Sequence, residues 1–285
     1  MLLKKFLTGV LGRSNSYRIG RALYMHARGD ISNNIFDNGE LMVQQSVINA
    51  LEGKYNNESL IIFDCGANVG DWSLPLLFDK RIKNKINIIL HAFEPVPATA
   101  QMLRARLQDF PSVNFHKLAL SSESGDVSIN IVGDGAGTNS LHSESGDSEG
   151  DIIVNRITAS EFCNANSIEK ITLFKCDTEG HDMDVIYGAL PLLRQGRISV
   201  LQFEYNHRWI FSRHYLKDVF EAISGISYRL GKICSGHIEL YDRWYPELDR
   251  FFEANYLLIK DEALDWFETV ECRPNKHSAV LPVKA

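Results

Sequence analysis

Two acidic residues at the ends of neighbouring apolar runs indicate a nucleoside-type ligand. Asp64 follows the apolar run 60–63 and opens the segment Asp-Cys-Gly-Ala-Asn-Val-Gly, whose two glycines let the chain turn tightly and approach a ligand. Glu94 follows the apolar run 86–93, at the position that takes ribose hydroxyls in nucleoside-binding α/β folds. A carboxylate at residue 64 favours a cationic ligand over a pyrophosphate. The predicted ligand is therefore S-adenosylmethionine (SAM), which carries sulfonium and ammonium charges.

Two other interpretations of the glycine segment stay open. It can be an ordinary turn between a strand and a helix, with no ligand. It can also belong to a dehydrogenase, but the third glycine of the dinucleotide fingerprint is absent, and Asn68 stands between the two glycines. The pairing of Asp64 with Glu94 favours SAM over both.

Size and composition predict one globular α/β domain. The chain has 285 residues, of which 45% are hydrophobic and 23% charged, and no apolar run reaches the roughly 20 residues of a membrane span. The five cysteines are odd in number and include no Cys-x-x-Cys pair. We therefore expect reduced thiols in a cytoplasmic protein and no zinc cluster.

Positive charge is concentrated at the N-terminus. Residues 1–29 contain six Lys or Arg and no acid, which leaves 24 basic and 36 acidic residues, a net charge of −12, for the rest of the chain. An acidic body argues against nucleic acid as substrate. Residues 1–12 have the pattern of a short amphipathic helix rather than a signal peptide. We expect residues 1–29 either to contact a membrane surface or partner enzyme or to form a solvated or packed helix.

Alternating strand and helix patterns predict a mostly parallel, doubly wound sheet. The predicted strands lie at 60–64, 86–93, 113–120, 171–176, 198–203, 228–233, 238–241 and 256–260, with two more in an insertion at 127–132 and 152–157. The predicted helices lie at 41–51, 72–78, 98–108, 183–194 and 216–223, with a further short helix opened by the capping box Thr158 to Glu161.

The segment 133–151 is rich in Gly, Ser, Asp and Glu and cannot bury enough apolar surface to become rigid by itself. We expect either a disordered loop or a lid that orders over ligand, with residues 138–140 as its contact point. The predicted organisation is an N-terminal helical extension, 1–37, followed by one catalytic domain, 38–285.

Acidic residues follow four of the predicted strands, namely Asp64, Glu94, Asp177 and Glu204. Ligands of open α/β sheets bind at the carboxyl ends of the strands, so these four side chains are expected at one site. If the first two serve the cofactor, Asp177 and Glu204 face the acceptor.

Several motifs together resemble the FkbM-type SAM-dependent methyltransferase family. They are the segment 64–73, Phe93-Glu94-Pro95, the segment Lys-Cys-Asp-Thr-Glu-Gly-His at 175–181, and Gln-Phe-Glu-Tyr at 202–205. The similarity extends over about residues 38 to 260. It implies a class I methyltransferase fold, Rossmann-like with a seven-stranded sheet, and O-methylation of hydroxyls, often on sugars, polyketides or other secondary metabolites.

The resemblance also implies roles for individual residues. Asp64, Gly66, Asn68 and Gly70 would hold the methionine portion of SAM, and Glu94 its ribose. Glu40, in a stretch common in the family, would close over the cofactor. The predicted cofactor-binding set is completed by their neighbours and by one further strand-end residue: Ala67, Trp72, Pro95 and Ser121.

Methyl transfer to a hydroxyl requires a positioned acceptor and a route for its proton. The predicted base is Asp177 or His207, with Glu179 and His181 as second choices and Glu204 beside them. Two plainer interpretations are that Glu179 caps the helix after it and that His181 is a surface residue.

A divalent metal is the alternative to a base. Asp177, Glu204 and Asn206 offer oxygen ligands at adjacent strand ends, and Mg²⁺ held there would acidify the acceptor hydroxyl.

The resulting hypothesis is a cytoplasmic O-methyltransferase acting on a hydroxyl of a sugar, glycan or related secondary metabolite, with a small-molecule or glycan acceptor as its partner. Aromatic residues between 205 and 215 favour a sugar or ring compound. Two alternatives stay open. One is methylation of nitrogen or of an aromatic hydroxyl in a small metabolite, and the other is a SAM-binding scaffold without catalysis.

Overall fold

The structure, a computed structural model, describes residues 2–30, 34–52, 59–131, 150–275 and 280–283. The helices are α1 (Leu2–Ala27), α2 (Glu40–Leu51), α3 (Ser73–Leu77), α4 (Lys80–Asn84), α5 (Pro97–Leu107), α6 (Ala159–Ala165), α7 (Asp182–Arg194), α8 (Trp209–Ser212) and α9 (Leu216–Ala222). Short 3₁₀ helices lie at Pro246–Leu248 and Asp261–Trp266.

The strands are β1 (Leu60–Cys65), β2 (Ile88–Phe93), β3 (Val113–His116), β4 (Ala119–Leu120), β5 (Gly125–Ile131), β6 (Gly150–Ile157), β7 (Ile171–Cys176), β8 (Ile198–Tyr205), β9 (Tyr228–Cys234), β10 (His237–Tyr241), β11 (Ala254–Lys260), β12 (Thr269–Pro274) and β13 (Val280–Pro282). All six helices that the sequence predicts after residue 40 are present, although α3 is only one and a half turns long and contains Pro75.

Ten strands of the described chain form the main sheet, in the order β13-β12-β10-β9-β11-β8-β7-β1-β2-β3. Strands β3, β2, β1, β7 and β8 are parallel to one another, and β11 is antiparallel to both β8 and β9. The chain leaves β1 towards β2 and β3 on one side and later returns to β7 and β8 on the other. The order of strands therefore reverses between β1 and β7, where such sheets bind ligands.

The predicted count of seven strands is wrong, because β10, β12 and β13 extend the sheet beyond β9. A two-residue turn at Ser235-Gly236 returns the chain from β9 directly into β10, and Gly236 has a φ of 93°. β12 and β13 were not predicted from the sequence. The residues of β12 are mostly exposed and show no apolar run, so the usual signal of a strand is missing there.

A second sheet has three strands, in the order β4-β6-β5. The predicted strand 113–120 is in fact two strands, since β3 joins the main sheet and β4 the small one. The predicted loop or lid 133–151 lies outside the described residues, apart from Gly150 and Asp151, which begin β6.

Apolar side chains on the two faces of the main sheet form two separate cores. Successive residues of a strand point to opposite faces. Accordingly Phe63 and Phe174 pack into one core, with α6 and α7, while Ile62 and Leu173 pack into the other, with α2 and α5. Both β7 and β8 are buried along their whole length, as expected for central strands covered by helices on both faces.

The N-terminal helix α1 is much longer than the predicted segment 1–12. Its backbone leaves helical geometry at Gly12, which has a φ of 69°, and continues as a largely exposed helix to Ala27. The chain after it is held to the sheet by Asp30, whose buried carboxylate pairs with Arg28 and with Lys232 of β9. Within the described residues no helix has the length and hydrophobicity needed to span a bilayer.

The packing of helix α7 against Ser121 can be tested by substituting a glycine in the helix interior. Gly188 lies in its interior, where alanine normally raises helix stability by about 1 kcal/mol. A Cβ at this position would stand 2.0 Å from the carbonyl oxygen of Ser121. We expect Gly188→Ala to lower the free energy of unfolding by about 1–3 kcal/mol, as measured by urea denaturation.

Gly20→Ala is the matched control, because Gly20 is also helical and a Cβ there has no neighbour within 4 Å. This variant should be as stable as the parent protein or slightly more stable. Equal effects of the two substitutions would contradict the contact between α7 and Ser121.

Candidate active site

A cavity of about 1040 Å³ opens where the strand order reverses, at the carboxyl ends of β1, β2 and β7. Its size suits a cofactor together with a second small molecule, since single small-molecule sites run from roughly 300 to 1,000 Å³. The predicted site residues that line it are Glu40, Gly66, Ala67, Asn68, Trp72, Glu94, Pro95, Asp177, Glu179 and His181. Sequence analysis did not find the lining residues Ile35, Phe36 and Phe78, which carry no motif.

The turn after β1 is fixed against the neighbouring strand ends. The N–H groups of Gly66 and Ala67 both donate to the carbonyl of Phe93, at 3.1 and 3.0 Å. Gly66 has a φ of 74°, and a Cβ there would stand 1.9 Å from the carbonyl oxygen of Asp177. Only glycine therefore allows the ends of β1 and β7 to approach so closely.

Lys175 of β7 is the charged centre of this region, and sequence analysis assigned it no role. Its side chain is buried, and its Nζ lies 3.4 Å from Asp64 Oδ1 and 3.5 Å from Asp177 Oδ2, while it donates to the carbonyl of Gly66 at 3.3 Å. Burial lowers the pKa of Lys175, but the charges of Asp64, Asp177 and Glu40 outweigh it and raise the pKa above its ordinary value. Lys175 is therefore a permanent cation at neutral pH.

Asp64 does not project into the cavity, contrary to the prediction. Its side chain is fully buried, Ser73 Oγ donates to Oδ2 at 2.6 Å, and Lys175 lies beside Oδ1. The carboxylate therefore joins α3 to β7 beneath the glycine turn. Gly70 also lies outside the lining, and a Cβ there would press on Leu103 and Leu107 of α5.

Glu94 stands at the end of β2 with both carboxylate oxygens held by backbone. Oε2 accepts from the N–H of Asn68 and Oε1 from the N–H of Val96, each at 3.0 Å. Burial raises the pKa of Glu94 to about 7, although these two hydrogen bonds oppose the shift. The side chain lines the cavity, so it can accept hydroxyl groups of a ligand when it is ionised.

Glu40 begins α2 and closes the same cavity from another side. It accepts hydrogen bonds from Asn38 Nδ2, at 2.8 Å, and from Gln202 Nε2. Burial raises the pKa of Glu40, while its bond to Asn38 and the charge of Lys175 oppose that rise. Glu40 and the turn after β1 therefore line the same cavity, as the sequence analysis predicts.

Two orphaned polar atoms indicate that this part of the cavity fits a polar ligand such as SAM. Asn68 Oδ1 and Trp72 Nε1 are buried, and neither has a hydrogen-bond partner among the described residues. Both residues line the cavity. An unpaired buried donor or acceptor costs about 1–3 kcal/mol, so a ligand that pairs with them gains that amount. Together with Glu94 they form the group that could hold a nucleoside.

Asp177 and Glu179, which follow β7, also line the cavity. The side chain of Asp177 is 36% exposed. Glu179 has a φ of 56°, and its carboxylate pairs with Arg208 Nη1 at 2.6 Å. Burial and the charge of Asp177 raise the pKa of Glu179 to about 8, with Arg208 opposing. The interpretation that Glu179 caps the following helix is wrong, because His181 occupies the N-cap of α7 and Glu179 turns to Arg208.

His181 is not a surface residue, since it is 4% exposed and lines the cavity. Its Nε2 lies 3.0 Å from Ser121 Oγ, and its Nδ1 lies 3.3 Å from Asp184 Oδ2. Ser121 itself is fully buried against His181 and is not among the residues that line the cavity. Asp182, which sequence analysis missed, is buried next to His181 in the chain. Burial together with the charge of Asp177 raises the pKa of Asp182 to about 7.

The predicted metal ligands are not assembled around one point of the cavity. Of the three, only Asp177 lines it. Asn206 Nδ2 donates to Glu204 Oε2 at 2.6 Å, and Asn206 Oδ1 accepts from the N–H of Arg208 at 2.8 Å. This arrangement gives no support to Mg²⁺. His207 is exposed, and neither His207 nor Glu204 is among the residues that line the cavity.

Comparison with known proteins assigns the family. The model named Methyltransferase FkbM domain matches residues 64–230, more than half of the chain. The chain belongs to the FkbM methyltransferase family. The family implies methyl transfer, with SAM as methyl donor.

One curated relative is the hexuronic acid methyltransferase AglP of Haloferax volcanii, which is 26% identical over 164 residues. The match covers 57% of this chain and 63% of AglP, less than two thirds of that protein. Solved structures of similar shape include the METTL16 MTase domain, at 8% identity and a TM-score of 0.43, covering 78% of this chain and 67% of that chain. Another is the bifunctional kinase-methyltransferase WbdD, at 14% identity and a TM-score of 0.43, covering 92% and 45%.

The role of Lys175 in this FkbM-family protein can be measured directly. Lys175→Met keeps the length of the side chain but leaves Asp64 buried without its cation. We expect a loss of about 3–5 kcal/mol in the free energy of unfolding, as for other broken buried ion pairs. The double variant Asp64→Asn with Lys175→Met should recover part of this loss, and additive losses in the double-mutant cycle would contradict the pairing.

Proposed function

We propose that this methyltransferase transfers the methyl group of SAM to a hydroxyl of a sugar or glycan. The observation that carries the proposal is the placement of two acids, Glu94 and Asp177, on the lining of one cavity together with Lys175. Glu94 is held by backbone N–H groups in the manner of a ribose acceptor, and Asp177 is partly exposed. The cavity therefore has a nucleoside half and an acceptor half.

The cavity as a whole is rich in acids, which suits the positive charge of SAM. Of the described residues that line the cavity, five are acids and two are permanent cations: Glu40, Asp71, Glu94, Asp177 and Glu179, with Arg106 and Lys175. Glu94 would bind the ribose hydroxyls. Asn68 Oδ1 and Trp72 Nε1, which lack partners in the part of the protein that the structure describes, would hydrogen-bond to the ligand. Bound SAM supplies an electrophilic methyl carbon on a sulfonium.

In the acceptor half, Asp177 would hold the acceptor hydroxyl and accept its proton as the new C–O bond forms. Lys175, 3.5 Å from Asp177 Oδ2, fixes the carboxylate from behind, so that the other oxygen can face the acceptor. Glu179, on the same cavity wall, stays paired with Arg208 and is a reserve base. No metal is required by this arrangement.

The choice of a sugar as acceptor rests on the relative AglP, whose name states that it methylates a hexuronic acid. Hydroxyl acceptors also need the base that Asp177 supplies, whereas nitrogen acceptors need less proton management. We therefore place sugars and glycans before amines and aromatic hydroxyls.

The proposal predicts which acceptors receive label. Purified protein with radiolabelled SAM should methylate uronic acids or neutral glycans, and mass spectrometry of the product should locate an O-methyl group. Asp177→Asn should keep SAM affinity and lose about 10²–10⁴-fold in kcat, the usual contribution of a general base.

Asp126→Asn, on the exposed strand β5, is the matched control and should retain the parent rate. Label on an amine or a phenol but on no sugar would overturn the choice of acceptor. SAM binding without transfer to any of the panel would instead favour a scaffold without catalysis.

The state of Glu94 predicts how SAM binding depends on pH. Its pKa is raised to about 7, so the carboxylate is ionised above pH 7 and protonated below it. Protonation removes an acceptor for ribose hydroxyls, so the Kd for SAM measured by calorimetry should rise by about tenfold per pH unit below 7. Glu94→Gln should bind weakly at every pH. A pH dependence unchanged by this substitution would assign the titration to another group.

A further inference from the structure

A second group of ligand-type side chains lies outside the lining of the cavity, on the hairpin of β9 and β10. Cys234 ends β9 and His237 begins β10, and the two residues are direct partners in the antiparallel ladder. Glu239 lies two residues beyond His237 and so points to the same face of the sheet. The ligand atoms of Cys234, His237 and Glu239 all lie within 4.8 Å of one another.

We propose that Cys234, His237 and Glu239 bind a zinc ion. A thiolate, an imidazole and a carboxylate are the three donor types that zinc takes in proteins. Zinc–ligand distances of roughly 2.0–2.3 Å place the donors of a tetrahedral site about 3.3–3.8 Å apart, so the three side chains need to close by only about 1 Å. On binding, the thiol proton of Cys234 leaves to solvent, and the thiolate and carboxylate balance the two charges of the ion.

The fourth position can be filled from the next strand. Cys272 of β12 is the ladder partner of Tyr241, on the same face as Glu239, and its thiol hydrogen-bonds to Glu239. Either Cys272 or a water molecule completes four ligands.

The surroundings of the three residues are those of an ordered site. Tyr241 Oη donates to Glu239 Oε2 at 2.9 Å, which orients the carboxylate in the way that outer groups orient metal ligands. Cys234 is buried, and the backbone of Gly29 passes over its sulfur, where a Cβ would be 3.6 Å away. His237 remains partly exposed, which leaves a path for the ion.

A metal here would tie the hairpin to the cavity. A Cβ at Gly39 would stand 2.9 Å from the carbonyl oxygen of Cys234, so the hairpin end packs directly on the turn that precedes Glu40. Fixing Cys234 therefore fixes the turn that carries Glu40 into the cavity. The inferred role of the ion is structural and does not depend on the acceptor or on methyl transfer.

Cobalt and zinc binding test the proposal on the full chain. Protein freed of metal with a chelator should bind Co²⁺ with a thiolate charge-transfer band and the strong visible bands of a tetrahedral site. After incubation with zinc and desalting, it should retain about one Zn²⁺ per chain by elemental analysis. Zinc should also raise the Tm of the protein.

Four variants decide whether these residues are the ligands. Cys234→Ser should remove the charge-transfer band, and His237→Asn, at a partly exposed position that is safe for folding, should remove the retained zinc and the rise in Tm. His26→Asn on α1 and Cys163→Ala in α6 are matched controls, because they remove an exposed histidine and a buried thiol elsewhere.

Retention of zinc by His237→Asn equal to that of His26→Asn would overturn the proposal. So would a cobalt spectrum without a thiolate band in the parent protein, or a band that persists in Cys234→Ser.

Discussion

The buried ammonium of Lys175 is the interaction on which the site depends. It lies between the carboxylates of Asp64 and Asp177, at the ends of two adjacent parallel strands, and bonds to the carbonyl of Gly66. Two carboxylates this close to each other in a buried region would repel, and a cation between them turns the repulsion into attraction. The glycine turn, the end of β1 and the acceptor side of the cavity are therefore held by one charge.

Much of the nucleoside half could be predicted, because local patterns determine it. The pattern of glycines between a strand and a helix, with an acid at the end of the next strand, is typical of nucleoside sites. The structure places Gly66 and Glu94 on one cavity. The position of Asp64 was not predictable in the same way. Whether a strand-end carboxylate faces the ligand or turns inward depends on Lys175, more than a hundred residues later. A lysine inside the apolar run of β7 was the signal that could have found it.

The edge of the sheet was the least predictable part of the fold. β12 is mostly exposed, and Cys272 is its one buried residue, so its side chains show no apolar periodicity. Cysteine spacing gives no signal of the proposed zinc site for a related reason. Cys234 and His237 form a Cys-x-x-His pair at the hairpin turn, and Glu239 and Cys272 are brought beside them by sheet pairing, which no spacing rule reveals.

The acceptor half is best understood as a set of acids that share protons. Burial and the charge of Asp177 raise the pKa of Asp182 to about 7 and of Glu179 to about 8, and raise that of Glu204 well above its ordinary value. These groups interact, so protons leave the set in steps that belong to no single residue. In the proposed mechanism the proton of the acceptor hydroxyl is accepted beside this set, at Asp177, whose side chain is the most exposed of the four and lies next to Lys175.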